Sequence, residues 1–330
     1  MHMNCSSSSE PHITVALCTF NRSQMLRATL ESLFAQDTRG ITFEIVVIDD
    51  GSTDDTSSVV EALQKDALVP LRYIAQPNSG VGRARNRAVE EARAPWIAFI
   101  DDDEVASGEW LFELHDAVVT NNADGAGGPC LLRVLGQSAI QPVGTVSMLM
   151  GEIPNMRGDA VKLSLFDRLR FRTTKVAHPG GGNALVKRSL VEDIGGFQET
   201  SYGEDLDFFR RAERHGAVFA TAPKAWVYHL MPADRLLPGR LYALARRAGH
   251  SQAALDGVHS HVGRRHLLSA LRLVHASLVT IPALIFYSAC SDRSQVVSRL
   301  CSLRFASAYI QTCLRAARQA FAESLVGDSL

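Results

Sequence analysis

The 330-residue sequence has no close CxxC pair, and its six cysteines (Cys5, Cys18, Cys130, Cys290, Cys301 and Cys313) are scattered. That spacing offers no zinc site, and a chain of this length needs no disulfide framework. The cysteines therefore read as reduced structural thiols, which points to the cytoplasm. The N-terminus, MHMNCSSSSEPH, has no basic start followed by an apolar run, so it reads as a polar tail over 1–12 and not as a secretory signal. Net charge is scarce too: 34 basic against 35 acidic residues leave −1. That balance argues against a dedicated nucleic-acid binder. Two phosphate-cradling loops are also missing. There is no GxxxxGK[ST], and CTFNRSQ stands after the first strand-like segment where a GxGxxG would be expected. A P-loop NTPase and a nicotinamide dehydrogenase are thereby disfavoured. No internal repeat is present.

What is there begins with a run of short apolar segments alternating with amphipathic ones. ITVALCTF (13–20), FEIVVIDD (43–50), LRYIAQ (71–76) and WIAFI (96–100) read as strands. SQMLRATLESLFAQ, the segment from GSTDDT to Leu68, and VGRARNRAVEEARA read as helices. Strands without polar alternation, separated by helices, predict an α/β fold whose mainly parallel central sheet is covered on both faces. Ligands collect at the carboxyl ends of such strands. Two of these strands end there in acids: Asp49-Asp50, and Asp101-Asp102-Asp103 followed by Glu104. Adjacent carboxylates repel each other, and a divalent cation bridging them to a substrate phosphate would offset that. With no glycine loop for phosphate, basic side chains such as Arg83 or Arg85 take that role. Glu104 reads as the first residue of the loop beyond.

Farther along, HPGGGNALVKRSL (178–190) reads as a glycine-rich approach to a short strand. EDLDFFRRAERHG (204–216) reads as a helix, and AVFATAPKAWVYHL (217–230) as strand-like. Residues 233–330 read as a helical C-terminal region. Between Arg235 and Arg318 that region is rich in arginine and poor in acids. It also holds an apolar stretch at 273–290, interrupted by His275 and a proline. Two readings stay open for it: peripheral contact with the inner face of the plasma membrane, or packing on the catalytic domain or on a twin chain in a homodimer.

The segments ALCTFNR, VVIDDGSTDDT, GVGRARNRAVEEA, WIAFIDDDE, GGGNALVKRSLVEDIGGF and YGEDLDFFRRA, in this order and spacing, resemble the family 2 glycosyltransferases. The resemblance covers residues 13–230 and implies the GT-A fold over a catalytic domain at 13–232. That domain would have a nucleotide-binding half at 13–130 and an acceptor half at 131–232. It implies an inverting, Mn²⁺- or Mg²⁺-dependent enzyme that takes a nucleotide sugar, most commonly a UDP-sugar. The acceptor would be a saccharide or a lipid-linked molecule, in cell-surface polysaccharide or glycolipid synthesis. By the same resemblance Thr19, Phe20, Asn21 and Asp50, with Asp49 as partner acid, hold the base and ribose; core packing is the alternative for Phe20. Asp103, then Asp101, then Asp102 are the metal or ribose positions, with the register open, and His229 is a third metal ligand. Asn183 meets sugar hydroxyls. Asp205 is the catalytic base, with Glu204 as acceptor-binding or alternate base. The Q/R-x-x-R-W element of processive relatives is missing after Asp205, so one sugar per encounter is expected. The competing readings are a degenerate binding or scaffold protein on the same fold and a sugar-phosphate nucleotidyltransferase.

Overall fold

A computed structural model describes residues 10–149, 179–199, 203–259 and 262–327. The chain divides into two compact units, the first ending near Leu230 and the second comprising, among the described residues, 132–149 and everything from Met231 onward. The sequence reading placed 132–149 with the catalytic domain. They group with the C-terminal helices because the Thr145 amide donates to Ser298 Oγ at 3.0 Å and the Gln141 amide to Ser294 Oγ at 2.9 Å.

In the first unit, β1 (Ile13–Thr19), α1 (Ser23–Phe34), β2 (Phe43–Asp49), α2 (Thr56–Gln64), β3 (Leu71–Ala75), α3 (Val81–Glu91) and β4 (Trp96–Asp101) follow the expected alternation. Then come β5 (Glu104–Ala106), α4 (Trp110–Thr120), β6 (Gly125–Gly127) and β7 (Cys130–Leu135), after which α5 (Thr145–Leu149) belongs to the second unit. After the undescribed stretch follow β8 (Asn183–Lys187), α6 (Arg188–Asp193), α7 (Glu204–Arg214), β9 (Phe219–Thr221) and β10 (Val227–Pro232). The large sheet runs β3-β2-β1-β4-β8-β6-β9, and a small one runs β5-β10-β7. The strands from β3 to β4 are parallel, and β8 is antiparallel to both of its neighbours. The segment 217–230, read as one strand-like stretch, is two strands in different sheets, broken at Pro223 and Lys224.

Both faces of the large sheet are covered, which explains its unbroken apolar strands. Ile13, Val15, Leu17, Ile45, Val47 and Ile100 pack toward α1, α2 and α4, where Trp110 is completely buried. Ala16, Val46, Ile48, Ile97 and Phe99 pack toward α3, α6 and α7. On that side Phe197 stacks on Phe208 at 4.5 Å between ring centres and meets Phe99 edge-on. Register then aligns the functional edge: Thr19 lies opposite Asp49, and Cys18 opposite Asp101.

The second unit is helical, with α8 (Pro238–His259), α9 (Val262–His275), a π turn (Ala276–Thr280), α10 (Ile281–Ala289) and α11 (Arg293–Gly327). Helices α8 and α11 are joined by Tyr309, whose hydroxyl donates to Asp256 at 2.8 Å, and by a 2.7 Å contact between His250 and Thr312. Gly249 lets the backbones meet, since a Cβ there would stand 2.3 Å from the Phe305 carbonyl oxygen.

Gly128, between β6 and β7, is equally constrained: a Cβ would fall 1.8 Å from the Ala225 carbonyl oxygen. Gly128→Ala is expected to lower unfolding stability by about 3 kcal/mol or more, because backbone and not a flexible side chain must move. Urea denaturation followed by circular dichroism measures it, and an unchanged midpoint contradicts this packing.

Candidate functional site

The carboxyl ends of β1, β2 and β4 open into a cleft of about 310 Å³ lined by Cys18, Thr19, Phe20, Arg22, Asp50, Arg85, Asp101, Asp102 and Glu204, with Val81 and Ala84 from α3. Its central problem is four adjacent carboxyl groups. Each meets a different solution.

Asp102 is buried and accepts hydrogen bonds from the Thr19 hydroxyl at 2.8 Å and from Arg22 Nη1 at 2.7 Å. Burial, together with the Asp103 charge, pushes its pKa up to about 6 against the pull of Arg22. The same Arg22 nitrogen reaches Asp103 Oδ2 at 2.8 Å. Asp103 also faces His229, with Oδ2 and Nε2 3.4 Å apart. The small sheet makes that meeting possible: His229 pairs with Glu104 across β10 and β5, and the Leu230 amide donates to the Asp103 carbonyl. Asp101 receives Arg85 Nη2 at 3.0 Å, and Arg85 Nη1 donates to Glu204 at 2.7 Å. Arg85 is itself buried, yet its two acidic partners keep it firmly charged. Arg85 and Glu204 are both buried, so removing one partner of that pair costs about 3–5 kcal/mol.

Glu104 is no loop residue. It opens β5, is buried, and takes hydrogen bonds from the Asp101 amide at 3.2 Å and from Cys130 Sγ at 3.6 Å. Burial, reinforced by the charges of Asp101 and Asp103, raises its pKa well above the ordinary carboxylate value. Gly182 closes over this group: a Cβ would lie 2.6 Å from Glu104 Oε2 and 2.7 Å from Asp101 Oδ2. The glycine-rich approach to β8 thus runs directly against these acids. Burial pushes the Cys18 thiol up to about 12, which disfavours its thiolate form.

The other sequence-derived positions divide. Phe20 is 46% exposed on the cleft, so core packing is excluded for it. Asp50 lines the cleft, but both its oxygens are engaged by Gln76 at 2.7 Å and by the Ser79 and Gly80 amides. Burial alone would raise its pKa; these donors outweigh it and hold the carboxyl below its ordinary value. Asn21 has φ of 52° and accepts from the Thr53 amide at 2.7 Å, fixing the loop after β2.

Asn21, Asp103, Asp205 and His229 are not among the residues that line this cleft, and three further positions turn to other partners. Asp49 is buried under Tyr73 and the Ser52 amide. Arg83, two residues from Arg85 on α3, points elsewhere and pairs with Glu199 at the surface. Asn183 is fully enclosed: it accepts from Trp110 Nε1 at 2.8 Å and donates to the Ala225 and Pro129 carbonyls. Its carboxamide ties β8 to α4, where the sequence had suggested sugar contact.

Asp205 and Glu204 begin α7. Arg85 neutralises Glu204, whose pKa burial raises. Asp205 instead accepts from the Gly181 amide at 3.2 Å and the Leu206 amide at 2.7 Å. Arg22 was the residue that motif reading passed over. Its signal was present in ALCTFNR, as a cation just before a helix that starts beside the acid row. Among the described residues no group of three or more His, Cys, Asp or Glu is arranged around one metal position.

A family model described as Glycosyl transferase family 2 matches residues 14–195, a span that holds the whole acid row but stops before Glu204, Asp205 and His229. The chain is 25% identical over 293 residues to the succinoglycan biosynthesis protein ExoM of Rhizobium meliloti (strain 1021), covering 87% of this chain and 89% of that protein. It is 30% identical over 240 residues to validoxylamine A glucosyltransferase of Streptomyces hygroscopicus subsp. limoneus, covering 66% of this chain and 51% of that longer relative. Among solved structures it resembles the mannosyltransferase PcManGT from Pyrobaculum calidifontis in complex with GDP-Man and Mn²⁺. The TM-score is 0.59 at 16% identity, over 92% of this chain and 88% of that one. That likeness shows the GT-A fold.

If Asn183 is scaffold, Asn183→Leu strips the buried Trp110 donor and the Ala225 carbonyl of their partner, while the Pro129 carbonyl keeps the Val227 amide, and lowers unfolding stability by about 3 kcal/mol. Chemical denaturation reads this. A variant of unchanged stability that merely weakens sugar binding would show instead that Asn183 meets substrate.

Proposed function

The chain belongs to glycosyl transferase family 2 and is a glycosyltransferase, and on that premise we propose the following reaction. It moves one sugar, with inversion, from a UDP-sugar to a hydroxyl of a saccharide or lipid-linked acceptor, in cell-surface polysaccharide or glycolipid synthesis. The observation that carries this reading is the single cleft that collects Phe20, the paired acids and arginines, and the Glu204 end of α7. The relatives named for succinoglycan biosynthesis, chondroitin synthesis and hyaluronan synthesis support the acceptor class. The mannosyltransferase of like fold carries GDP-Man and Mn²⁺, the donor and cation classes proposed here.

Phe20 offers an exposed ring on which a base stacks. Arg22 provides positive charge on the wall where the donor's diphosphate would sit. Asp205 is the group placed to take the acceptor's proton. Where Glu204 is paired with Arg85, Asp205 accepts hydrogen bonds from the Gly181 and Leu206 amides at the start of α7. As the acceptor oxygen bonds to the anomeric carbon, the bond from that carbon to the diphosphate breaks. The proton passes to Asp205 and the nucleoside diphosphate leaves. The in-line direction of attack inverts the anomeric centre.

The donor set fits a divalent cation. Asp103 Oδ2 and His229 Nε2 offer one oxygen and one nitrogen 3.4 Å apart, a pair better suited to Mn²⁺ than to Mg²⁺. Two protein donors suffice where substrate phosphates complete the shell. A bound cation supplies charge neutralisation for the leaving diphosphate. Asp101, held by Arg85 and turned toward Gly182, supports the row instead.

Asp205→Asn is expected to lower transfer by about 10²- to 10⁴-fold. It should keep the rise in melting temperature that a nucleotide sugar with Mn²⁺ gives the parent protein. Full transfer by the variant removes Asp205 as base. If no nucleotide sugar stabilises the parent protein with Mn²⁺ or Mg²⁺, the degenerate scaffold reading takes its place.

A further inference from the structure

The segment His266–Ala289 is a continuous helical stretch long and apolar enough to cross a membrane. It is built inside out. Leu267, Val274, Leu278, Ile281 and Ile285, spaced by 7, 4, 3 and 4 residues, form one stripe, and all are exposed, Leu278 at 72% and Ile285 at 66%. Leu273, Val279 and Phe286 flank the stripe and are exposed as well. Three polar side chains turn the other way, although His266, Ser277 and Ser288 are exposed. Thr280 is buried, Ser269 Oγ is buried, and Arg272 lies over the Tyr309 ring at 4.1 Å and the Phe305 ring at 5.2 Å. A helix in water puts its apolar stripe inward, so this arrangement needs an apolar medium outside.

The packing also decides between crossing and lying flat. Near its start the segment touches α11 through Arg272 and Tyr309, and near its end through Tyr287, over which Arg299 of α11 sits at 5.6 Å. It therefore runs antiparallel along α11, which is itself bound to α8. Both ends return to one polar body, and only one face, about 27 Å long, is free.

We propose that this face is a membrane-docking surface that lies in the headgroup and upper acyl region of an anionic bilayer without spanning it. Charge selects lipid over a second copy of the chain. Between Arg235 and Arg318 there are twelve arginines and two aspartates, so 12 − 2 leaves +10 on a chain whose total is −1. Anionic lipid attracts such a region, whereas a twin carrying the same charge is repelled. The inference rests on the second unit alone and stands apart from the donor and cation assignments.

The test is flotation of the full chain with vesicles of phosphatidylcholine and phosphatidylglycerol, comparing the parent protein with Leu278→Asp/Ile285→Asp. Both positions are exposed, so the double variant should keep its helical circular dichroism and its melting temperature. The parent protein is expected to float. The variant should lose about tenfold in partitioning per substitution, on the order of a hundredfold in all. The proposal is overturned if the parent protein stays with the soluble fraction, or if a folded variant floats as well as the parent. It is equally overturned if the parent protein ignores vesicles and is a dimer by light scattering that the variant converts to monomer.

Discussion

Four carboxyl groups at the end of β4 cannot all be charged and unpartnered at once, and much of the first unit is arranged around that fact. Arg22, at the entrance to α1, bridges Asp102 and Asp103. Arg85, from inside α3, joins Asp101 to Glu204. Glu104 is buried, and burial raises its pKa. Each solution dictates something elsewhere. Helices α1 and α3 must reach the same sheet edge, β5 must turn Glu104 inward, and position 182 must carry no side chain. At contact distance in a medium of intermediate dielectric, one such charge pair is worth about 4 kcal/mol before desolvation is counted. Leaving one acid uncompensated is therefore a large perturbation for a fold of ordinary stability.

Asp103 marks where this compensation changes character. It is buried and shares one oxygen between Arg22 and the imidazole of His229. In the proposed reaction this is where the donor's diphosphate and its cation bring further charges of both signs. The proposed base, Asp205, adjoins the same electrostatic unit: Arg85 binds its neighbour Glu204, and Asp205 accepts from two backbone amides.

The parallel half of the fold was legible because buried strands and amphipathic helices carry distinct periods, and strand-end acids mark the functional edge. The antiparallel half was not. Strands β5 and β6 are three residues each, too short to show a period, so Glu104 passed for a loop residue. Asn183 passed for a ligand because an asparagine after glycines looks the same whether it faces substrate or, as here, a tryptophan sixty and more positions away in the chain. Arg22 went unnoticed since motif reading sought acids and a base, while the need for a counter-charge becomes visible only when distances are known. The C-terminal stripe was half legible: its apolar character stood in the sequence, but which face it presented depended on the partners of Arg272 and Thr280.

The central claim is that the acid row is one wall of a cation–diphosphate site. Calorimetric titration of UDP tests it most directly, in Mn²⁺, in excess EDTA, and with Asp103→Asn in Mn²⁺. The account predicts binding in Mn²⁺ that weakens by about tenfold or more both on chelation and in the variant. Equal affinity in all three titrations would contradict it.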